Sequence, residues 1–186
     1  MGIVFLVIFL VGVLIVIVLY NGLIRKKNAV ANAFGAIDAL LKKRYDLLPN
    51  LVETLKIYMR YEQDTLSKIT SLRTEAVSSS IPGDQKLQLE NQISNAMKNI
   101  MVQVENYPDL KANQNFLQLQ GAWNETEEQI SAARRTYNAT VYEYNNAVEQ
   151  FPTNIMAGMM KYQLKPFLDI PDTERKNISA EELFRK

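Results

Sequence analysis

Two residue types with reactive side chains are missing from the chain, and each absence excludes a class of chemistry. None of the 186 residues is cysteine, which excludes disulfides, thiolate metal sites and thiol nucleophiles. None is histidine either, so the commonest general base near neutral pH and the commonest metal ligand are lacking. Carboxylates remain as candidates, including the cluster Glu125, Glu127 and Glu128 that could hold a hard cation. Charges on a solvated helix surface are the favoured interpretation, so we expect no catalytic residue, no metal ligand and no cofactor.

Glycine and proline are scarce, and neither sign of charge dominates. Seven glycines and six prolines favour long uninterrupted elements over many short strands joined by turns. The formal net charge of +1 provides no global field that would attract nucleic acid or acidic substrates. We therefore expect neither a nucleic-acid partner nor a small-molecule substrate, and the length suggests one domain with an appendage.

Residues 1–24 are predicted to be a transmembrane anchor. Large apolar side chains run from Ile3 to Leu19, interrupted only by Gly12, and the stretch continues through Tyr20 to Ile24. The run begins with Ile3, Val4, Phe5 and Leu6. Roughly 20 apolar residues cross a hydrocarbon core of about 30 Å, and a lone segment in lipid satisfies its backbone only as a helix. No basic residue precedes the run, which favours a retained anchor over a cleaved signal peptide.

The charges beside the anchor predict its orientation. Arg25, Lys26 and Lys27 follow the apolar run, and basic residues next to a span stay on the cytoplasmic side. We expect a single-pass membrane protein with its N-terminus outside and its helical domain in the cytoplasm. Alternatively, the basic triplet marks only the membrane interface, which leaves the orientation open.

Apolar residues with helical spacing predict three long helices after the anchor. They recur every seven positions over residues 29–77, and the stripe keeps its phase across Pro49, so we expect a kinked but continuous helix. A turn over residues 78–83 precedes a second helix of about 22 residues with Asp84 as N-cap. A third helix runs from about residue 110 to 150, and a short fourth one over residues 154–163.

These elements predict an all-α fold. The N-terminal transmembrane helix is followed by an elongated antiparallel bundle of three long helices plus a short C-terminal helix. The bundle is expected over residues 25–164, and residues 165–186 are expected to form an irregular, charge-rich tail with a helical turn over 180–185. About 160 residues outside the lipid are enough to bury a common core.

Two charged residues, Arg44 and Glu62, fall on the apolar stripe of the first predicted helix. A buried charge requires a partner. For Arg44 the structural interpretation is a pair with Asp46 or with an acid on another helix, and the functional alternative is a site that binds a partner.

Four blocks of sequence resemble the LemA family. They are Tyr20–Leu23 (YNGL), Lys43–Thr54 (KRYDLLPNLVET), Tyr107–Asn113 (YPDLKAN) with Phe116–Gln120, and Ala132–Asn146 (AARRTYNATVYEYNN) followed by Phe151-Pro152. The resemblance covers nearly the whole chain up to about Gly158. It implies a membrane-anchored α-helical protein of bacteria without a known catalytic activity. The residues of these blocks that we nominate for shared or partner contacts are Arg44, Tyr45, Asp46, Pro49, Asn50, Glu53, Pro108, Asp109, Tyr137, Asn138, Tyr144 and Asn145.

The chain departs from the family pattern in two places. Tyr61-Glu62 stands where the family often has a His-Glu pair, so a role given to that histidine does not apply here. The region from Met159 onward lacks the usual Gly-Phe and aromatic pattern, which puts a shared C-terminal contact in doubt.

Two functional hypotheses follow. The favoured one is a non-catalytic, membrane-tethered interaction module or scaffold, which assembles with itself or docks onto other membrane proteins; tethering raises the effective concentration of such partners. The alternative is a lipid-acting or hydrolytic enzyme that uses Asp46 and Glu53. Their seven-residue spacing is about 10 Å along a helix, which suits an inverting hydrolase only where a cleft lies between the carboxylates.

Overall fold

A computed structural model describes residues 1–78 and 83–168, with the side chains of residues 83–87 excluded. All regular secondary structure within these residues is helical, which confirms the predicted fold class. The predicted N-cap Asp84 and the helical turn over 180–185 lie outside the described side chains and residues. The α-helices are α1 (Gly2–Tyr58), α2 (Gln63–Val77), α3 (Gly83–Gln103), α4 (Pro108–Lys111), α5 (Gln114–Glu149) and α6 (Thr153–Met159), with 3-10 turns at Arg60–Glu62 and Val104–Asn106.

The apolar run and the first bundle helix form one uninterrupted helix, α1, of 57 residues. Pro49 lies inside α1, so the predicted continuity across this proline is confirmed. Among the described residues, α1 is the one helix that is long and apolar enough to cross a membrane. Its most apolar 18-residue window has a mean hydropathy of 3.5, and none of that window is buried.

The predicted continuation of the first helix to residue 77 is wrong, because α1 ends at Tyr58. Met59 has φ −107° and ψ 65°, and a 3-10 turn then leads into α2. The break leaves Met59 fully buried while Tyr61 is 94% exposed. An unbroken helix would have kept the polar residues Glu62 and Thr65 in the core row, and their presence in that row was the sequence signal for a break.

The later helices lie close to their predicted positions, with one split. α3 has 21 residues, near the expected 22. The predicted third helix is divided into α4, which ends at Lys111, and α5, which begins at Gln114. Asn113 caps α5, since its side-chain oxygen accepts a hydrogen bond of 3.0 Å from the amide of Phe116. α6 is shorter than predicted, and residues 162–168 have no regular secondary structure.

The chain forms two compact units, and α1 and α5 contribute residues to both. Among the described residues, the anchor unit comprises 1–37 and 132–168, and the middle unit comprises 38–78 and 83–131. The core of the middle unit is built from the apolar rows of five helices. Its deeply buried apolar side chains include Leu48, Leu51, Leu55, Met59, Leu66, Ile69, Ile93, Met97, Ile100, Leu110 and Phe116.

The anchor unit has a smaller core. Leu23 of α1, Ala147 of α5 and Ala157 of α6 are buried together. Partly buried apolar side chains surround them, namely Val148, Met156, Met160 and Tyr162. Further along α1, the rings of Phe34 and Tyr137 meet edge to face, with centroids 6.0 Å apart.

Candidate functional site

Arg44 lies at the centre of a buried ionic cluster in the middle unit. Its side chain is 1% exposed. One guanidinium nitrogen, Nη2, lies 3.3 Å from Oε2 of Glu90 and donates a hydrogen bond of 2.9 Å to Oγ of Ser94. The other, Nη1, lies 3.0 Å from Oε1 of Glu127. The predicted acid on another helix is therefore confirmed, with one carboxylate from α3 and one from α5.

An aromatic ring completes the surroundings of this cation. Cζ of Arg44 lies 5.0 Å from the centre of the Trp123 ring, within the range of a cation–π contact. The same guanidinium also donates to the backbone carbonyl of Glu90 at 3.2 Å. Arg44 thus joins α1 to α3 and α5 through charge, hydrogen bonds and an aromatic face.

The other pairing proposed for Arg44 does not form. Asp46 is exposed and makes no ion pair with Arg44 among the described residues. Glu90 was not predicted from the sequence, although it adjoins the buried Leu89 and precedes the buried Ile93 by three positions. An acid on an apolar row is the same kind of signal that singled out Arg44.

One face of α1 in the middle unit carries nominated residues that remain accessible. Asp46, Asn50, Glu53 and Ile57 are all exposed, and their spacing of four, three and four residues places them on one side of the helix. We call these four residues the α1 docking face. Ile57 is 67% exposed, so this face offers an apolar contact beside two carboxylates.

Two grooves flank the α1 docking face, and Glu53 lines both. The groove between α1 and α5 is lined by Asn50, Glu53, Thr54, Ile57, Asn115, Gln118 and Leu119. The groove between α1 and α2 is lined by Leu48, Pro49, Val52, Glu53, Lys56, Thr70 and Arg73. Asp46 lines neither groove, so the two carboxylates of the enzymatic hypothesis do not face each other across either of them.

The nominated residues of α5 have a different role: they hold the extended segment Gln163–Leu168, which we call the strap. Asn145 exchanges two hydrogen bonds with the backbone of Lys165, both 2.9 Å long. Asn138 does the same with Leu168, at 2.9 and 2.8 Å. The hydroxyl of Tyr144 donates to the carbonyl of Gln163 at 3.0 Å.

The spacing of these contacts is set by the two backbones. Asn138 and Asn145 are seven residues apart, about 10 Å along a helix. Lys165 and Leu168 are three residues apart, also about 10 Å in extended chain. The pairs Tyr137-Asn138 and Tyr144-Asn145 are therefore separated along α5 by the same distance that separates their backbone partners along the strap. The hydroxyl of Tyr137 is also directed to the strap, 3.5 Å from the carbonyl of Pro166.

Burial changes the acidity of both tyrosines beside the strap. It raises the pKa of the Tyr137 phenol above its ordinary value of 10.0. Burial also raises the pKa of Tyr144, and the neighbouring phenol of Tyr162 adds to the increase. Both hydroxyls therefore stay protonated near neutral pH, which lets Tyr144 donate its hydrogen bond to the strap.

The remaining nominated residues begin helices or make local contacts. Pro108 is at the start of α4, where its missing N–H removes no helical hydrogen bond, and Asp109 places an acid in the first turn. Of the basic triplet, Lys26 forms an ion pair of 2.8 Å with Glu143, and Lys27 lies over the ring of Tyr162 at 5.0 Å. Arg25 is exposed.

The sequence profile of the LemA family matches residues 33–181. The chain belongs to the LemA family. A protein of this family from Metamycoplasma hominis, Protein LemA, is 30% identical over 88% of this chain and 74% of its own length. Two magnetosome proteins of Paramagnetospirillum magneticum, MamQ 1 and MamQ 2, are each 24% identical over 72% of this chain and 61% of their own length. The LemA match includes the strap and extends past Gly158, where the resemblance in the sequence blocks ended.

Proposed function

We propose that this LemA-family chain is a membrane-anchored, non-catalytic scaffold that binds other polypeptides, including further copies of itself, through the α1 docking face. The observation that carries the proposal is the continuity of α1. A single helix holds an exposed apolar window of membrane-spanning length and, further along, the exposed Asp46, Asn50, Glu53 and Ile57.

The anchor follows from the exposure of its apolar side chains. Ile3 to Val11 are each between 49% and 79% exposed, which in water would be a large unfavourable hydrocarbon surface. A bilayer removes that cost, and the helix satisfies its own backbone groups. The basic residues after the run support an orientation with the helical domain in the cytoplasm. The membrane association implied by family membership agrees with this arrangement.

The docking face supports binding over catalysis. Asp46 and Glu53 are two helical turns apart on one exposed helix and line no common groove. Among the described residues no group of three or more acidic side chains is arranged to hold a metal ion. A rigid helix face that combines an apolar residue with carboxylates and an amide suits a helical partner with a basic flank.

Site-specific photo-crosslinking in intact membranes tests the proposal. A photoreactive amino acid replaces Asn50 or Ile57, and a matched control replaces Lys98, which is exposed on α3 of the same unit. Adducts from positions 50 and 57 that are absent from position 98 support docking. An adduct at twice the chain mass identifies self-assembly, and one of another mass identifies a different partner.

Two results would contradict the proposal. Equal adduct yields from positions 50, 57 and 98 would refute specific binding through the α1 docking face. Release of the chain from membranes by alkaline carbonate would refute the transmembrane anchor. Protease treatment of sealed vesicles tests the orientation separately, because a cytoplasmic helical domain is digested only when the cytoplasmic face is accessible.

A further inference from the structure

The contacts between α1 and α5 fix which part of α5 lies beside the end of the apolar run. Lys26 pairs with Glu143, and three residues closer to the N-terminus Leu23 shares a core with Ala147. Residue numbers fall along α1 as they rise along α5, so the two helices are antiparallel. At 1.5 Å per residue, the end of α5 at Glu149 is therefore level with the last turn of the apolar run, before the basic triplet.

α6 lies at the same level. Its residue Ala157 is 1% exposed and shares the core of Leu23. The chain from residue 150 to residue 160 contains no charged side chain, whereas Glu149 and Lys161 stand at its two borders. The uncharged residues 150–160 around α6 therefore lie beside the end of residues 1–24, which likewise carry no charged side chain.

The face of α6 that points away from this core is apolar and open. Ile155 is 59% exposed and Met159 is 76% exposed, and they are one helical turn apart on the side opposite Ala157. Phe151, just before α6, is 79% exposed. No described residue covers these three side chains, which we call the α6 apolar face.

The backbone at the end of α6 is already hydrogen-bonded. The amide of Met160 donates to the carbonyl of Met156, and that of Tyr162 donates to Ala157, both at 3.0 Å. Lys161 between them adopts φ 54°, which reverses the chain. Since these terminal carbonyls have partners, the end of α6 can enter a region with little water. Lys161 itself is exposed, beside the apolar face.

We propose that the α6 apolar face is a second membrane contact, which lies in the boundary between headgroups and acyl chains next to the anchor. The proposal rests on the proposed function, because it requires α1 to cross the bilayer. An apolar helix face with a basic residue at its border is the pattern of an interfacial helix, and Lys161 meets anionic headgroups there. We assign this face to the bilayer because the shared core of Leu23 and Ala157 places α6 beside the end of the membrane-spanning apolar run.

The absence of cysteine makes a depth measurement simple, since one introduced cysteine carries one environment-sensitive fluorophore. The variants are Ile155→Cys and Met159→Cys on the α6 apolar face, Ile15→Cys in the anchor, and Val102→Cys as an exposed apolar residue of the middle unit outside the α1 docking face. Each full-length variant is placed as a single copy in nanodiscs of phosphatidylcholine and phosphatidylglycerol. Lipids with a nitroxide close to the headgroup serve as quenchers.

We expect the labels at positions 155 and 159 to shift to shorter emission wavelengths and to lose several-fold more fluorescence to the quencher lipid than the label at position 102. If position 15 is embedded while positions 155 and 159 remain in water, the interfacial contact is refuted and the anchor stands. If position 15 is also in water, the anchor of the proposed function fails. Labels that are exposed in nanodiscs but shielded in native membranes would assign the face to a protein partner and overturn the proposal.

Discussion

Asn145 and Lys165 are joined by two hydrogen bonds of equal length, since the side-chain amide of Asn145 donates to the backbone carbonyl of Lys165 and accepts from its backbone N–H. Asn138 holds Leu168 in the same way. An asparagine side chain matches the donor and acceptor of one backbone residue, so each asparagine replaces the neighbouring strand that an extended segment otherwise needs.

Replacing Asn145 with alanine should free the strap. Each lost hydrogen bond contributes about 1 kcal/mol or less at this exposed position, so we expect faster hydrogen exchange at Lys165 and earlier proteolysis in the strap, with little change in global unfolding. Asn145→Asp should free the strap only in part, because a carboxylate still accepts from the Lys165 N–H but cannot donate to the Lys165 carbonyl. Asn99→Ala, at an exposed position of α3, controls for the higher helix propensity of alanine. Unchanged exchange in both Asn145 variants would show that the strap is held by other contacts.

The Arg44 cluster should be sensitive to loss of its cation. Arg44→Met leaves the buried carboxylate of Glu90 without this partner, and removing one member of a buried ion pair typically costs about 3–5 kcal/mol. Combining Glu90→Gln with Arg44→Met should restore part of that stability, because the double variant no longer buries the Glu90 carboxylate without the Arg44 cation. Chemical denaturation in detergent measures both changes, and Lys43→Met, at the adjacent exposed lysine, should shift stability by about 0.5 kcal/mol or less. Equal effects at positions 43 and 44 would contradict the central role of Arg44.

Two tyrosine-to-phenylalanine changes in the middle unit should have opposite consequences. Tyr45 is 4% exposed, and its hydroxyl has no hydrogen-bond partner among the described residues, so removing the oxygen should leave stability unchanged or raise it. The Tyr58 hydroxyl accepts a 2.9 Å hydrogen bond from Asn113, so Tyr58→Phe should cost about 1 kcal/mol. Thermal unfolding of the two variants provides the comparison. A larger loss for Tyr45→Phe than for Tyr58→Phe would reverse the expectation.

Alkaline pH should destabilise the anchor unit through Tyr137 and Tyr144. Burial raises both pKa values in the folded chain above 10.0, so the folded state retains these protons more strongly than the unfolded state. This contribution to stability is complete below pH 10.0 and is lost as the pH rises through the folded-state pKa values. Melting temperatures across this range, with phenolate absorbance followed in parallel, measure the loss.

The matched variant for the pH experiment carries Tyr137→Phe and Tyr144→Phe. It retains every other ionisable side chain of the protein, so the difference between the two pH profiles isolates the two phenols. We expect the variant to have a flatter profile above pH 10.0. Parallel profiles would show that these tyrosines do not contribute to the pH dependence.

The sequence predicted the buried position of Arg44, but it did not identify which acids pair with it. The position of Arg44 on an apolar stripe predicted a buried cation with an acid on another helix, and both parts are confirmed. Nothing local to residues 40–48 distinguishes Glu90 from other acids, because the choice depends on how α3 is aligned beside α1. Asp46 was a reasonable candidate by proximity in sequence, but it faces solvent.

The end of α1 before Met59 was likewise only weakly indicated by the local sequence. The surrounding residues contain neither glycine nor proline, so no local breaker marks the end of α1. Only the polar residues Glu62 and Thr65 on the apolar row signalled a change. Met59 and Leu66 are both fully buried, and the free energy gained by burying such apolar side chains between helices outweighs the local preference for a continuous helix.

The sequence by itself determined the helical elements and the apolar run, because side-chain periodicity and hydrophobic length act within one segment. Tertiary structure decided which side chains meet. Leu23 reaches Ala157 across well over one hundred residues of sequence, and the Tyr-Asn pairs of α5 are turned toward the strap. Such contacts depend on the relative register of separate helices, which is set by packing and hydrogen bonds over long sequence distances and is not encoded in any one stretch of residues.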